Sequence, residues 1–229
     1  GQGLANGVGM AMAERLVRAQ HGDDLVSHRV WVVAGDGCLE EGISHWAASF
    51  AGTQGLDRLT VFYDDNHITI EGDTNLAFSE SVPGRFEGLG WNVLHVADAN
   101  DTAAVGRAIE AAIREGMAET ERPTLISLRT AIGYGSPRAG TRNAHSDPMP
   151  DEQVRQTKET LGWDPDAQFL IPDGVYEHWR DACIARGAAA QAEWQARFDG
   201  WAAKNPELAS DWNDAWAGKP RAGVVAALP

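Results

Sequence analysis

Val30-Trp31-Val32-Val33-Ala34-Gly35-Asp36-Gly37 and Leu59-Thr60-Val61-Phe62-Tyr63-Asp64-Asp65-Asn66 are two apolar runs that each end on a polar side chain able to ligate a cation. Short runs rich in Val, Leu, Phe and Tyr read as strands, and the stretch 40–54 between them is long enough for a helix. Parallel strands joined through a helix end at the same edge of their sheet, where ligands of open α/β sheets sit. Asp36 and Asn66, thirty residues apart, are therefore expected together. Magnesium takes about six oxygens in near-octahedral geometry and usually draws several from phosphate and water. Asp36, the Asn66 side-chain oxygen and one nearby backbone carbonyl would supply three, with two diphosphate oxygens and a water completing the shell. Gly35 and Gly37 are expected to let the backbone approach the phosphates and to accept positive φ. Gly-Asp-Gly alone is more often a plain tight turn; the flanking strand, helix and second strand make it a candidate site.

The same alternation continues. A helix is expected over 3–20, with Leu4, Val8, Met12, Leu16 and Ala19 on one face, and strands over 29–34 and 59–64. A helical turn near 79–88 leads to a strand over 91–96. A helix over 102–118 presents Val105, Ile109, Ala112, Ile113 and Met117, and a strand over 124–129 follows. Four strand–helix alternations predict an α/β fold, a largely parallel sheet with helices on both faces. Residues 133–150 hold Gly133, Gly135, Pro137, Gly140, Pro148 and Pro150, the marks of a long ordered loop of the kind that carries function.

Beyond this loop the chain reads as helical, with Asp151 as an N-cap before 152–161, a helix starting at Pro172, and a helical stretch over 173–203. Six of the nine tryptophans lie between 163 and 216, and their helical spacing assigns them to packing against the main domain rather than to a ligand cage. The expected organisation is an α/β domain over 1–150, a helical C-terminal extension packed on it over 151–216, and an interdomain linker over 217–229.

Composition excludes several classes of function. The net charge of −14 and pI near 4.8 argue against a nucleic-acid partner, because phosphate backbones attract basic surfaces. No apolar run approaches a bilayer span, so no membrane partner is expected. Cys38 and Cys183 are too few for a disulfide scaffold and fit a reducing cytoplasmic compartment. Cys38, beside the candidate metal loop, reads as a small packing residue.

Gly35-Asp36-Gly37-Cys38-Leu39-Glu40-Glu41-Gly42-Ile43-Ser44, followed by Tyr63-Asp64-Asp65-Asn66-His67-Ile68-Thr69-Ile70, resembles the thiamine diphosphate motif as transketolases write it. Gly1-Gln2-Gly3-Leu4-Ala5-Asn6-Gly7-Val8-Gly9-Met10-Ala11, Arg85-Phe86-Glu87-Gly88-Leu89-Gly90-Trp91 and Ile132-Gly133-Tyr134-Gly135-Ser136 extend the resemblance over nearly the whole chain. It implies a thiamine diphosphate-binding fold and transfer of a two-carbon glycolaldehyde unit from a ketose phosphate to an aldose phosphate. The cofactor would act as electron sink, while the protein supplies binding, orientation and electrostatics. The resemblance to transketolase leaves two alternatives: a related thiamine enzyme such as dihydroxyacetone synthase, and a non-catalytic cofactor-binding remnant.

By that resemblance, Asp36, Asn66 and the backbone carbonyl of Ile68 are the metal ligands, for magnesium or, alternatively, calcium. Gly35, the Gly37 N–H and the Asn66 side chain would line the diphosphate. Asp64 and Asp65 are an alternative ligand pair, though strand alternation sends them to opposite faces. His145 matches a family histidine that touches both cofactor and sugar, a catalytic and substrate-binding role suited to a neutral imidazole. Arg142 stands where many members have another histidine, and Ser146 where many have glycine. Glu41 by itself reads as a surface carboxylate in the first turn of a helix. In the family the matching residue joins a carboxylate network near the interface of a homodimer. Expected partners are sugar phosphates and the pyrimidine-binding and C-terminal domains of the same or a companion chain. The glutamate that activates the aminopyrimidine and the arginines that hold sugar phosphate belong to those domains. The chain is thus expected to be a piece of a longer enzyme, truncated at both ends and inactive alone.

Overall fold

The computed structural model of the chain describes residues 1–100 and 102–219, with backbone alone for 102–105. The Val105 side chain and residues 220–229 of the expected linker lie outside the described residues. The chain divides into two compact units, one of Gly1–Arg15 and His28–Gln168, the other of Leu16–Ser27 and the described part of Phe169–Pro229.

The first unit begins with α1 (Gln2–His21), whose initial residues belong to it, and continues with β1 (Val30–Gly35), α2 (Asp36–Glu40), α3 (Gly42–Gln54) and β2 (Leu59–Asp65). It proceeds through α4 (Val82–Gly88), β3 (Asn92–Val96), α5 (Thr102–Ala118), β4 (Thr124–Arg129) and α6 (Asp151–Thr160). The four strands are all parallel, in the order β1-β2-β4-β3. This is the expected α/β architecture. Strand alternation splits the core in two. Val30, Val32, Ala34, Leu59, Val61, Tyr63 and Leu125 face a cluster built with Leu4, Val8 and Ala11 of α1, Ala47, Ala48 and Ala51 of α3, and Phe86 of α4. The opposite parity packs Ile126, Val96, Phe62 and Leu94 against Ala112, Ile109 and Ile113 of α5. β4, almost wholly buried, is central, whereas β3 carries the half-buried Asn92 and exposed His95 at the edge.

Several local expectations are corrected. The buried stripe of α1 runs through Leu4, Val8, Ala11 and Glu14, leaving Leu16 exposed. A strict four-residue spacing overshoots the helical repeat of 3.6, so it drifts off the face within three steps. The expected helix over 40–54 is α3, which starts two residues late at Gly42; the unexpected short helix α2 precedes it, and the two are separated at Glu41, which is extended at φ −69° and ψ 138°. Glu41 is therefore the hinge residue between α2 and α3 rather than a first-turn residue. Asp36 starts a helix instead of a turn, and Gly35 has φ −92°, so positive φ is not what the Gly-Asp-Gly glycines contribute. Pro150, not Asp151, precedes the first turn of α6, its carbonyl accepting from the Val154 N–H at 3.0 Å.

The second unit contains α7 (Val175–Trp179), a π-helical stretch over Arg180–Ala185, α8 (Arg186–Lys204) and α9 (Pro206–Trp216). The helix expected from Pro172 starts at Val175, because Gly174 is left-handed at φ 83°. Its core is aromatic. His21 meets Trp201 and Trp212 edge-on at 5.5 and 5.2 Å, Trp194 stacks on Phe198 at 5.3 Å, and the Trp194 indole donates to the Leu25 carbonyl. Contacts within this unit account for Trp194, Trp201 and Trp212, while Trp179 and Trp216, and Trp163 of the first unit, are exposed.

Candidate functional site

The parallel register pairs Ala34 with Tyr63 and Gly35 with Asp64, so Asp36 emerges beside Asp65 and Asn66 at the carboxyl edge of the sheet. Asp36 is buried and accepts three hydrogen bonds. Its Oδ1 takes the Tyr63 hydroxyl at 2.6 Å, and its Oδ2 takes the backbone N–H groups of Asn66 at 3.1 Å and His67 at 2.9 Å. Burial pushes the Asp36 carboxyl above its ordinary range, with the Tyr63 and backbone hydrogen bonds pulling against it. Burial and the neighbouring Asp36 push the Tyr63 hydroxyl far above its usual value. The two aspartates of the neighbouring run go separate ways, as alternation requires. Asp64 accepts from the Asn66 amide at 3.3 Å and from the Thr130 hydroxyl, while Asp65 pairs with His67 at 2.9 Å and Arg129 at 3.4 Å. Asn66 then turns the chain, its Oδ1 accepting the Ile68 N–H at 3.0 Å.

A cleft of about 680 Å³ opens at this edge. Gly35, Asp36, Gly37 and Glu41 line it from the β1 side, and Asn66 and Ile68 from the β2 side. His145 closes it from the loop that follows β4. Asp36, Asn66, Ile68, Gly35, Gly37, Glu41 and His145 thus border one cavity, whereas Asp65, Arg142 and Ser146 are not in its lining. A Cβ added to Gly35 or Gly37 would meet nothing within 4 Å, so these glycines leave open space against the backbone, room for a closely approaching ligand. The loop carrying His145 is tied down by Arg138, which donates to the Gln153 side chain at 2.7 Å and to the carbonyls of Asn143 and Asp147. Gly133 allows its turn: φ is 65°, and a Cβ there would lie 2.7 Å from that of Ala144. His145 follows a short 3₁₀ turn, Arg142–Ala144, and is exposed to the cleft.

Sequence reasoning missed Tyr63, His67 and Thr130. Tyr63 was readable only as a core residue of β2, because its partner belongs to another strand. His67 has φ 61°, left-handed for a non-glycine residue, and this conformation accompanies the N–H bond to Asp36. The expected result for His67→Gly against His67→Ala is a stability difference of about 1 kcal/mol favouring glycine. Both variants lose the contact with Asp65, so thermal unfolding of the pair isolates the backbone strain. Equal midpoints would exclude it.

Among the described residues no group of three or more His, Cys, Asp or Glu is placed to hold a metal. Asp36, Glu40, Glu41, Asp64 and Glu71 border the cleft beside the Asn66 carboxamide without three of these carboxylates converging, so a cation held there by Asp36 and Asn66 would need ligand oxygens to complete its shell. Comparison with known proteins places the chain in a family. The profile of the transketolase thiamine diphosphate-binding domain matches residues 1–220. The chain belongs to the transketolase family. It is 47% identical to transketolase 1 of Aliivibrio fischeri over 216 residues, 93% of this chain and 31% of that protein. Against the chloroplastic transketolase-1 of Arabidopsis thaliana it is 42% identical over 233 residues, 100% of this chain and 31% of the relative. The fold superposes on Pichia stipitis transketolase, solved with sedoheptulose 7-phosphate, with a TM-score of 0.90 and 36% identity, covering 100% of this chain and 34% of that one. The chain therefore spans about a third of the length of the transketolases it matches.

Proposed function

We propose that this chain forms the diphosphate- and cation-binding part of a transketolase, which moves a two-carbon glycolaldehyde unit from a ketose phosphate to an aldose phosphate. The observation that carries the reading is the single cleft bordered by Asp36, Asn66, Ile68 and His145. Asp36, the Asn66 amide oxygen and the Ile68 carbonyl would hold magnesium, or calcium, against the cofactor's diphosphate. A hard cation with phosphate oxygens in its shell suits that sparse donor set better than a cluster of protein carboxylates would. The open space at Gly35 and Gly37 admits the diphosphate, and the cation's charge offsets repulsion between it and Asp36. Bound thiamine diphosphate supplies the carbon nucleophile and electron sink of the reaction. His145 reaches the cleft from a fixed loop, placed to donate a hydrogen bond to diphosphate or sugar and to move a proton at its imidazole.

The remaining steps belong to other parts of the assembly: the pyrimidine-binding and C-terminal domains, on the same or a companion chain, and a second copy in a homodimer. Glu41, exposed at the α2–α3 break, is the residue proposed for a carboxylate network across that interface. Cys38 and Cys183 are both free thiols, in keeping with a cytoplasmic setting; among the described residues no helix is long and apolar enough to cross a membrane. Calorimetry with thiamine diphosphate, with and without magnesium, followed by a ketose-to-aldose transfer assay on the complete protein, tests the proposal. Magnesium-dependent binding with transfer is expected. Binding without turnover would make the domain a non-catalytic remnant, and absence of binding would overturn the assignment of the cleft.

A further inference from the structure

We propose that Tyr63 is a positioning residue that orients the Asp36 carboxylate for its cation; the inference rests on the diphosphate–cation reading of the cleft. A carboxylate offers about four lone-pair sites on its two oxygens. Three donors occupy three of them here, one on Oδ1 and two on Oδ2, which fixes the plane of the group and leaves a site for a metal. The donors differ in kind. The N–H groups of Asn66 and His67 come from a turn at the rim of the cleft, whose own side chains are half-buried or exposed. Tyr63 comes from the interior of β2, with only 3% of its surface exposed and its ring within the main core cluster. Its hydroxyl bond to Asp36 has the 2.6 Å length of a charge-assisted O–H···O⁻ contact. It therefore joins the rigid sheet to the one carboxylate in the expected ligand set.

Asp36 also stands between two cavities. Besides the cleft, a second space of about 490 Å³ is bordered by Asp36, Tyr63, Asp65, His67, His95 and Ser127. A carboxylate at such a boundary has room to rotate away from the cleft, and the Tyr63 hydroxyl is the side-chain contact that holds it. Outer partners of metal ligands typically change metal affinity by about 10–100-fold when removed.

The test is Tyr63→Phe, which deletes one oxygen and keeps the buried ring. In the complete protein, thiamine diphosphate binding is titrated with magnesium, alongside far-ultraviolet circular dichroism and a ligand-free thermal midpoint. The magnesium concentration for half-maximal binding is expected to rise about tenfold. Saturating magnesium should restore the parent's affinity for thiamine diphosphate, because the defect lies in the cation site. A purely structural role would lower the thermal midpoint and leave the magnesium requirement within twofold of the parent, which overturns the inference while the cofactor reading stands. A parent protein that shows no magnesium-dependent binding overturns both.

Discussion

Asp36→Ala is expected to abolish magnesium-dependent binding of thiamine diphosphate while leaving the fold in place. The predicted loss exceeds the roughly 10–100-fold attached to an outer-shell partner, since the only carboxylate in the expected ligand set disappears. Two opposed effects act on stability. The change leaves the Tyr63 hydroxyl and the N–H groups of Asn66 and His67 without their acceptor, each at about 1–3 kcal/mol if it stays buried and dry. It also removes a carboxylate whose burial disfavours its charged form. Folding should therefore change far less than binding. Calorimetry against a magnesium series, with circular dichroism as control, reads both quantities. Retained magnesium-dependent affinity would remove Asp36 from the ligand set. Asn66→Ala should act in the same direction more weakly, because the carboxamide carries no charge.

The second large effect concerns the scaffold. Trp91→Ala should destabilise the first unit by about 3–5 kcal/mol, the range for truncating a fully buried aromatic residue. Trp91 is 2% exposed, packs edge-on against Phe86 at 4.9 Å, and donates its indole N–H to the Ala48 carbonyl of α3 at 2.8 Å. The substitution removes a large volume that its rigid neighbours cannot refill, and it deletes the second hydrogen bond that the Ala48 carbonyl accepts within α3. Urea unfolding monitored by circular dichroism measures the change. A loss below about 1 kcal/mol would mean that α3 and α4 collapse around the cavity, contrary to the packing described.

The first cluster of the core was legible in the sequence because each strand declares its faces by alternation. Val30, Val32 and Ala34 are buried on one side while Trp31 and Val33 point the other way. Helices were legible to within a few residues, failing where a local event intervened. At Glu41 the chain adopts an extended conformation between two helical segments, and no periodicity in Glu40-Glu41-Gly42 announces it. In α1 a four-residue spacing imitated a helical stripe and then diverged from it.

For the site, the sequence by itself determined which groups arrive at the carboxyl edge of the sheet: Asp36 after β1 and Asn66 after β2, with Ile68 two residues on. Side-chain chemistry and strand direction suffice for that, because parallel neighbours must end together. Only the tertiary structure decided the order β1-β2-β4-β3. Because β4 lies beside β2, its C-terminal loop emerges next to Asn66 and carries Ile132 and His145 into the cleft. Strand order depends on which strand buries both faces, and the wholly buried Thr124–Ser127 segment of β4 takes the centre from the more polar β3. The hydrogen bonds around Asp36 were hidden for the same reason. Their donors, Tyr63, Asn66 and His67, lie 27 to 31 residues away in sequence and meet the carboxylate only after the two strands have paired in register.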